Sequence, residues 1–179
     1  VLNTINTRLD AKTVAYILDH SEAKVLIVDR QLHSVIEKAL SISKIKPIII
    51  DIQDNFADQK LLKKIGDKEY ENFLSSGDEN YKWKIPKDEW QAISLSYTSG
   101  TTGLPKAALI TNGRAIKTSY AGQFFGFRAK QKDILYLTLP LYHATGLLWS
   151  WAGCLRAGAT TVIKEKFSAS EFWSDVRKH

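Results

Sequence analysis

The sequence has 179 residues, of which 44% are hydrophobic and 11% aromatic, so it can form one domain with a hydrophobic core. Its formal net charge is +6, but acidic residues stand between many of the lysines and no nucleic-acid-reading motif is present, so a solvated surface is the simpler interpretation. The single cysteine excludes an internal disulfide framework and a cysteine-based zinc site. We expect a cytoplasmic location, with membrane association left open.

Both ends of the sequence look cut. The chain begins at Val1, contains no Met, and stops at His179 inside a predicted helix. Neither end carries a signal peptide, and the most apolar stretch, Gly146 to Gly153, is far shorter than the roughly 20 residues that a membrane-spanning helix needs. We therefore expect the sequence to be part of a larger protein.

Helical and extended patterns alternate over residues 1–52. Asp10 is placed to cap a helix that runs to His20, and residues 24–29 have the composition of a buried strand. A second amphipathic helix, with apolar positions from Leu32 to Leu40, precedes an apolar run at residues 47–52. The order helix, strand, helix, strand predicts a first α/β segment.

A polar, lysine-rich stretch follows at residues 53–89 and is expected to be a connector, with one short helical candidate at residues 67–74. Regular patterning resumes in residues 90–179. Strands are predicted at residues 92–97 and 106–111, on either side of a Gly/Thr loop, and Asn112 is expected to cap a helix that reaches about Gly122.

The last part of the chain continues the alternation. Residues 133–140 and 159–164 are predicted strands, and a largely buried helix is expected between them from Gly146 to Arg156. Ser168 and Glu171, three positions apart, predict a capping box for a final helix. The repeated alternation predicts an α/β layered domain with largely parallel sheets and flanking helices.

The most informative segment is the loop with the sequence YTSGTTGLPK, residues 97–106. Hydroxyls and backbone N–H groups donate hydrogen bonds to phosphate oxygens, glycines permit positive φ, and a lysine adds mobile positive charge. The residues of these kinds are Thr98, Ser99, Gly100, Thr101, Thr102, Gly103 and Lys106. An ordinary turn needs far fewer hydroxyls, so the composition predicts a phosphate-binding loop.

This loop is not a Walker loop of the form G-x-x-x-x-G-K-[ST]. Gly100 and Gly103 are too close together, and Pro105 rather than glycine precedes the lysine. Ala107 follows the lysine, where a Walker loop needs a metal-binding hydroxyl.

The string YTSGTTGLPK resembles, nearly letter for letter, the phosphate-binding signature of the adenylate-forming (AMP-binding) superfamily. That superfamily includes acyl-CoA synthetases, luciferases and peptide-synthetase adenylation domains. Residues 3–9 and 23–29 resemble the amino-terminal part of bacterial fatty-acyl-CoA ligases, whereas residues 139–146 and 166–173 are similar to the very-long-chain synthetase and fatty-acid-transport branch. Ala107 and Ala108, after the lysine, also resemble that branch. The resemblance covers most of the chain except residues 53–80.

The resemblance implies that residues 1–179 are a partial N-terminal AMP-binding domain of an acid–thiol ligase, without its C-terminal domain and inactive or nearly so alone. The implied reaction activates a carboxylic acid, expected to be a fatty acid, with ATP and Mg²⁺, and then forms the thioester with CoA, a carrier-protein thiol being the alternative acceptor. Residues 98–103 and Lys106 would bind the phosphates, and Thr101 and Thr102 are candidate hydroxyl ligands of Mg²⁺. A non-catalytic nucleotide-binding or interaction protein of the same fold is the alternative.

A second candidate site follows the strand at 133–140. The resemblance implies that Tyr142 and His143 bind the acyl substrate and that His143, with Lys106, takes part in catalysis. From the residues alone, a histidine after an apolar strand could equally be structural. Trp149 and Trp151 could line an apolar tunnel but at helical spacing are more often core residues. Cys154 is expected to be a small buried hydrophobe.

Overall fold

The computed structural model describes residues 1–59, 62–98 and 103–179. Its contacts divide the described residues into a first unit (residues 7–59, 62–85 and 103–106) and a second unit (residues 1–6, 86–98 and 107–179). The strands are β1 (Val25–Asp29), β2 (Ile48–Ile52), β3 (Lys68–Glu69), β4 (Ala92–Thr98), β5 (Lys106–Thr111), β6 (Ile134–Leu137) and β7 (Thr160–Ile163). The α-helices are α1 (Ala11–His20), α2 (His33–Ile42), α3 (Tyr70–Ser75), α4 (Asn112–Ala121), α5 (Ala152–Ala157) and α6 (Phe172–Lys178).

The first helix of the first unit begins as the sequence predicts. An Asp10 carboxylate oxygen accepts hydrogen bonds from the backbone N–H groups of Lys12, at 2.9 Å, and Thr13, at 3.1 Å. These bonds satisfy donors that have no partner within the helix, which confirms Asp10 as the cap. The apolar face of α1 is buried and consists of Val14, Ala15, Ile17 and Leu18.

The first unit contains a parallel sheet in the order β1-β2-β3. Residues 24–29 were predicted as a buried strand, and this holds for only one face. Leu26 and Val28 are buried, whereas Val25 is 48% and Ile27 49% exposed, because successive side chains of a strand point to opposite faces. Residues 53–89, expected to be a connector, contain β3 and α3; a two-residue strand has no periodicity by which it could be predicted.

The second unit contains two small sheets. One pairs β4 with β5, and the other pairs β6 with β7 in parallel, from Ile134 opposite Thr160 to Leu137 opposite Ile163. Leu2 adds a parallel bridge to Ser94 of β4. The α/β class with parallel sheets and accompanying helices is thereby confirmed.

The cap of α4 differs from the prediction by one residue. Asn112 is not the cap, because the Thr111 hydroxyl oxygen accepts the hydrogen bond from the Arg114 N–H at 3.2 Å. The Asn112 side chain instead donates to the Gln91 carbonyl oxygen at 2.8 Å. Beyond α4 the chain continues as a π-helical segment, Gly122–Phe127.

The helix expected from Gly146 to Arg156 consists of a π-helical segment, Thr145–Trp151, followed by α5. It is not largely buried, since Leu155 is 63% exposed. Its buried residues are small, namely Gly146, Ser150, Gly153 and Cys154. Small residues allow close approach to the preceding helix: a Cβ atom on Gly122 would lie 1.9 Å from the Trp149 carbonyl oxygen.

The capping box predicted at Ser168 and Glu171 does not form. Ser168 shares a hydrogen bond with Ser170, and the Glu171 carboxylate instead bonds the Lys164 ammonium at 2.7 Å. A tertiary ion pair has thus replaced the local cap. Within the described residues, no helix combines the length and the apolar character needed to cross a bilayer.

A polar network joins α6 to the two strands beside it. Lys164, the residue after β7, donates to Asp175 at 2.8 Å, and the Tyr136 hydroxyl of β6 donates to the same carboxylate at 2.7 Å. The bond to Lys164, and then that to Tyr136, lowers the pKa of Asp175, while the bond to Asp175 raises the pKa of Tyr136. The network fixes α6 against β6 and β7.

Candidate functional site

The predicted phosphate-binding loop connects two strands of one sheet. Thr98 is the last residue of β4 and Lys106 the first of β5, and both are exposed. Ser99, Gly100, Thr101 and Thr102 lie outside the described residues, so their phosphate contacts stay a prediction. The structure does describe the strand ends between which the loop runs.

Gly103 has the backbone conformation that the sequence predicts for a glycine of this loop. Its φ is +128°, which side-chain-bearing L residues rarely adopt, and no heavy atom lies within 4 Å of a Cβ built there. A substitution would therefore strain the backbone although the space for a side chain is open. This confirms positive φ at Gly103.

Tyr142 and His143 lie in a tight turn that follows β6. The His143 N–H donates to the Pro140 carbonyl oxygen at 3.1 Å, and the His143 carbonyl oxygen accepts from the Leu147 N–H at 2.9 Å. Only glycine fits at Gly146, because a Cβ there would lie 2.3 Å from the Pro140 carbonyl oxygen.

The Tyr142 and His143 rings are 4.7 Å apart between centroids and tilted by 55°. His143 is exposed. The turn therefore presents two adjacent aromatic side chains, one with a phenol and one with an imidazole that can donate or accept a hydrogen bond. Such a pair is suited to orienting a polar group of a ligand.

No sequence pattern predicts the contact between this turn and the start of the chain. The Thr4 hydroxyl donates to the Tyr142 carbonyl oxygen at 3.2 Å across 138 residues of sequence. The neighbouring Asn3 amide has both side-chain polar atoms buried without a hydrogen-bond partner among the described residues.

Of the other candidates, Cys154 is fully buried, and burial raises the pKa of its thiol. It is a small buried hydrophobe, as predicted, and a poor nucleophile near neutral pH. Trp149 is half-buried and packs next to Gly126, where a Cβ would lie 2.6 Å from the indole nitrogen, and Trp151 is 37% exposed.

The described residues offer no group of three or more His, Cys, Asp or Glu side chains that could hold a metal ion. Thr101 and Thr102, the Mg²⁺ ligands predicted from the sequence, lie outside the described residues. In the division of the chain by contacts, Thr98, Tyr142 and His143 belong to the second unit and Gly103 and Lys106 to the first.

The chain is similar to plant CoA ligases over its whole length. It is 37% identical over 191 residues to an acetate–CoA ligase of Humulus lupulus, and 35% identical over 190 residues to a peroxisomal acetate/butyrate–CoA ligase of Arabidopsis thaliana. Each alignment includes 100% of this chain and 33% of the relative. The chain therefore spans about a third of the length of these curated relatives.

The fold is shared with solved structures of lower sequence identity. A natural red-emitting luciferase from Phrixothrix hirtus aligns with a TM-score of 0.76 and 21% identity, covering 98% of this chain and 33% of the luciferase. The model of one family, described as AMP-binding enzyme, matches residues 1–179. This chain therefore belongs to the AMP-binding enzyme family.

Proposed function

We propose that this chain forms part of an ATP-dependent acid–thiol ligase, which activates a carboxylic acid as an acyl-adenylate and then transfers the acyl group to CoA. The observation that carries the proposal is the loop at residues 98–106, which has the family's phosphate-binding composition and joins β4 to β5. The names of the relatives, which include acetate– and acetate/butyrate–CoA ligases, support a CoA thioester as the product.

In the first step, a carboxylate oxygen attacks the α-phosphorus of ATP, and the bond from that phosphorus to the bridging oxygen breaks to release pyrophosphate. The reaction brings two anions together, so positioning and neutralisation of charge dominate the barrier. In our proposal Lys106 and the hydroxyls from Thr98 to Thr102 hold the β- and γ-phosphates and the departing pyrophosphate. The CoA thiol then attacks the acyl carbonyl carbon, and AMP leaves.

Tyr142 and His143 are the proposed contacts to the acid and the adenylate. Their adjacent rings lie on a turn whose conformation is fixed by the bonds at Pro140 and Leu147. An imidazole that donates to the acyl oxygen would stabilise negative charge on it during both steps. Mg²⁺ would supply further neutralisation of the phosphate charge, with Thr101 and Thr102 as the candidate ligands in this chain.

We propose a fatty acid as the substrate, and two observations bear on its length. The relatives named for acetate, butyrate and 2-methylpropanoate favour a short aliphatic acid. The resemblance of residues 139–146 and 166–173 to the very-long-chain branch favours a longer one. The relatives align over the whole chain, so their short acids are the stronger support.

We further infer that residues 1–179 belong to the N-terminal AMP-binding domain of the enzyme. In this proposal residues 1–52 are its first α/β segment, 53–89 a polar connector, and 90–179 the phosphate-loop segment with the α/β units after it. We propose that the enzyme is located in the cytoplasm, with or without peripheral association with a membrane.

The test is carboxylate-dependent ATP–pyrophosphate exchange by the full-length protein, across acids of increasing chain length. We expect exchange with aliphatic acids and, when CoA is added, an acyl-CoA product. An ATP-binding protein that exchanges with none of the acids would favour the non-catalytic alternative.

The role of the loop is tested with the triple variant Lys106→Ala, Thr101→Val and Thr102→Val. We expect loss of exchange and weaker MgATP binding, whereas Lys117→Ala, on the exposed side of α4, should behave like the wild type. Undiminished MgATP affinity in the triple variant would show that the loop does not hold the phosphates.

A further inference from the structure

The N-terminal segment, residues 2–4, contacts two parts of the second unit that the proposed reaction uses. At one end, the Leu2 N–H donates to the Ile93 carbonyl oxygen at 2.9 Å, and the Leu2 carbonyl oxygen accepts from the Leu95 N–H at 2.8 Å. These bonds fix the segment to β4, the strand whose last residue is Thr98.

At its other end the segment reaches the turn that carries the aromatic pair. The Thr4 hydroxyl donates to the Tyr142 carbonyl oxygen at 3.2 Å, in a part-buried environment. The Tyr142 carbonyl belongs to the peptide unit that joins Tyr142 to His143. A bond to this oxygen therefore restrains the peptide plane on which the direction of both rings depends.

The other hydrogen bonds of the turn to described residues are local. They join His143 to Pro140 and Leu147 to His143, and they fix the turn's shape but not its position relative to β4. The Thr4 bond spans 138 residues, so it can set that position.

We propose that Thr4 is a positioning residue of the active site, whose hydroxyl holds the Tyr142–His143 turn in register with β4. This inference rests on the proposed function, because the turn is assigned there to the acid and its adenylate. Thr4 does not itself touch the reacting atoms in this assignment. Its removal should impair use of the acid rather than of ATP, since the phosphates are assigned to the loop after Thr98.

The test compares Thr4→Val and Thr4→Ser in the full-length protein by ATP–pyrophosphate exchange. Valine keeps the shape and loses the donor, so we expect the KM for the acid to rise about fivefold, the ratio that corresponds to one neutral hydrogen bond. The KM for ATP should stay unchanged. Serine retains the hydroxyl and should restore the KM for the acid, and Thr7→Val, at an exposed threonine, is the matched control.

Thermal unfolding of each variant separates positioning from a merely structural role. Equal rises in both KM values, a KM for the acid that serine does not restore, or a fall in melting temperature without a change in KM would each overturn the inference while leaving the proposed function intact. A wild-type protein without carboxylate-dependent exchange would overturn the proposed function, and the positioning role with it.

Discussion

The two units of the chain are stabilised in different ways. In the first unit, large aliphatic side chains fill the core, and Ile17, Leu18 and Ile50 are almost completely buried. In the second unit, the helical segments 112–127 and 145–157 pack through small residues. An added Cβ would collide with backbone at Gly122, and at Gly153 it would lie 3.0 Å from the Gln123 backbone nitrogen. The first unit also has a close approach, at Gly66, where a Cβ would lie 2.5 Å from the Ile49 carbonyl oxygen, but its core is filled by aliphatic side chains.

A buried charge marks the second difference. Asp51 is completely buried within the first unit, where its carboxylate accepts from the Ile65 and Gly66 N–H groups, at 3.1 Å each, and lies 3.6 Å from Arg30 Nε. The polar network of the second unit, at Lys164 and Asp175, lies nearer the solvent. We therefore expect the core of the first unit to be most sensitive to loss of a buried group, and the helix packing of the second unit to be most sensitive to added atoms.

The largest expected effect is that of Asp51→Ala. The substitution leaves two backbone N–H groups without an acceptor and leaves the Arg30 side chain, only 13% exposed, without its ion-pair partner. Breaking a buried pair in this way costs about 3–5 kcal/mol. Urea unfolding of the full-length protein measures the loss, and the exposed Asp78→Ala is the control. A loss no larger than that of the control would show that Asp51 does not stabilise the sheet.

Gly122→Ala tests the packing of the second unit. The new methyl group would lie 1.9 Å from the Trp149 carbonyl oxygen, so the helical segments must move apart. Overpacking of this kind costs about 1–3 kcal/mol and occasionally more.

Gly113→Ala is the matched control for Gly122→Ala, because it also adds one methyl group to the helical segment 112–127. Its nearest neighbour is the flexible end of the Glu89 side chain, at 3.1 Å. We expect it to cost little, since alanine also favours the helix. Equal melting temperatures for the two variants would contradict the close helix packing inferred at Gly122.

The first unit was predicted more fully from sequence than the second, for a physical reason. Local patterns determine that Asp10 caps α1 and that aliphatic residues at helical spacing form its buried face. The cap of α4 was assigned to Asn112 although Thr111 suits the position equally well. The choice depends on the Gln91 carbonyl oxygen, a contact that sequence patterns cannot show. Glu171 likewise does not form the predicted capping box, because its carboxylate accepts a hydrogen bond from Lys164.

The candidate site follows the same rule. Lys106, Tyr142 and His143 are candidates because they stand in motifs of consecutive residues. The sequence does not point to Thr4, because its partner lies 138 residues away and a single threonine has no pattern. Roles assigned to residues 99–102 stay predictions, since those residues lie outside the described part of the chain.

A smaller, pH-dependent effect should come from the network at the edge of the second unit. The bonds from Lys164 and Tyr136 hold the pKa of Asp175 below its ordinary value of 3.8. A carboxylate with a lowered pKa contributes stability above its unfolded value, and that contribution is lost as the pH falls through the folded value. The wild type should therefore lose stability in the window below pH 3.8.

Asp175→Asn keeps a hydrogen-bond acceptor for Tyr136 but removes the ionisation. It should therefore lower the melting temperature at neutral pH and make the melting temperature depend less on pH below 3.8. Melting temperatures at neutral pH and in steps below 3.8 measure this, with the exposed Glu79→Gln as control. If the melting temperature of the variant falls with decreasing pH as steeply as that of the wild type, the pH dependence comes from other carboxylates.

The smallest expected effect has the opposite sign and concerns Asn3. Both polar atoms of its side-chain amide are buried without a partner among the described residues, which costs free energy in the folded state. Leucine has nearly the same shape without the polar atoms, so Asn3→Leu should raise the free energy of unfolding by about 1 kcal/mol. Urea unfolding of the full-length protein checks this, with Asn80→Leu at an exposed position as control.

A destabilised Asn3→Leu variant would mean that the amide is satisfied by an ordered water or by a group of the bound substrates. Repeating the measurement with saturating ATP and acid distinguishes these two, because only the second makes the loss grow when the substrates are present.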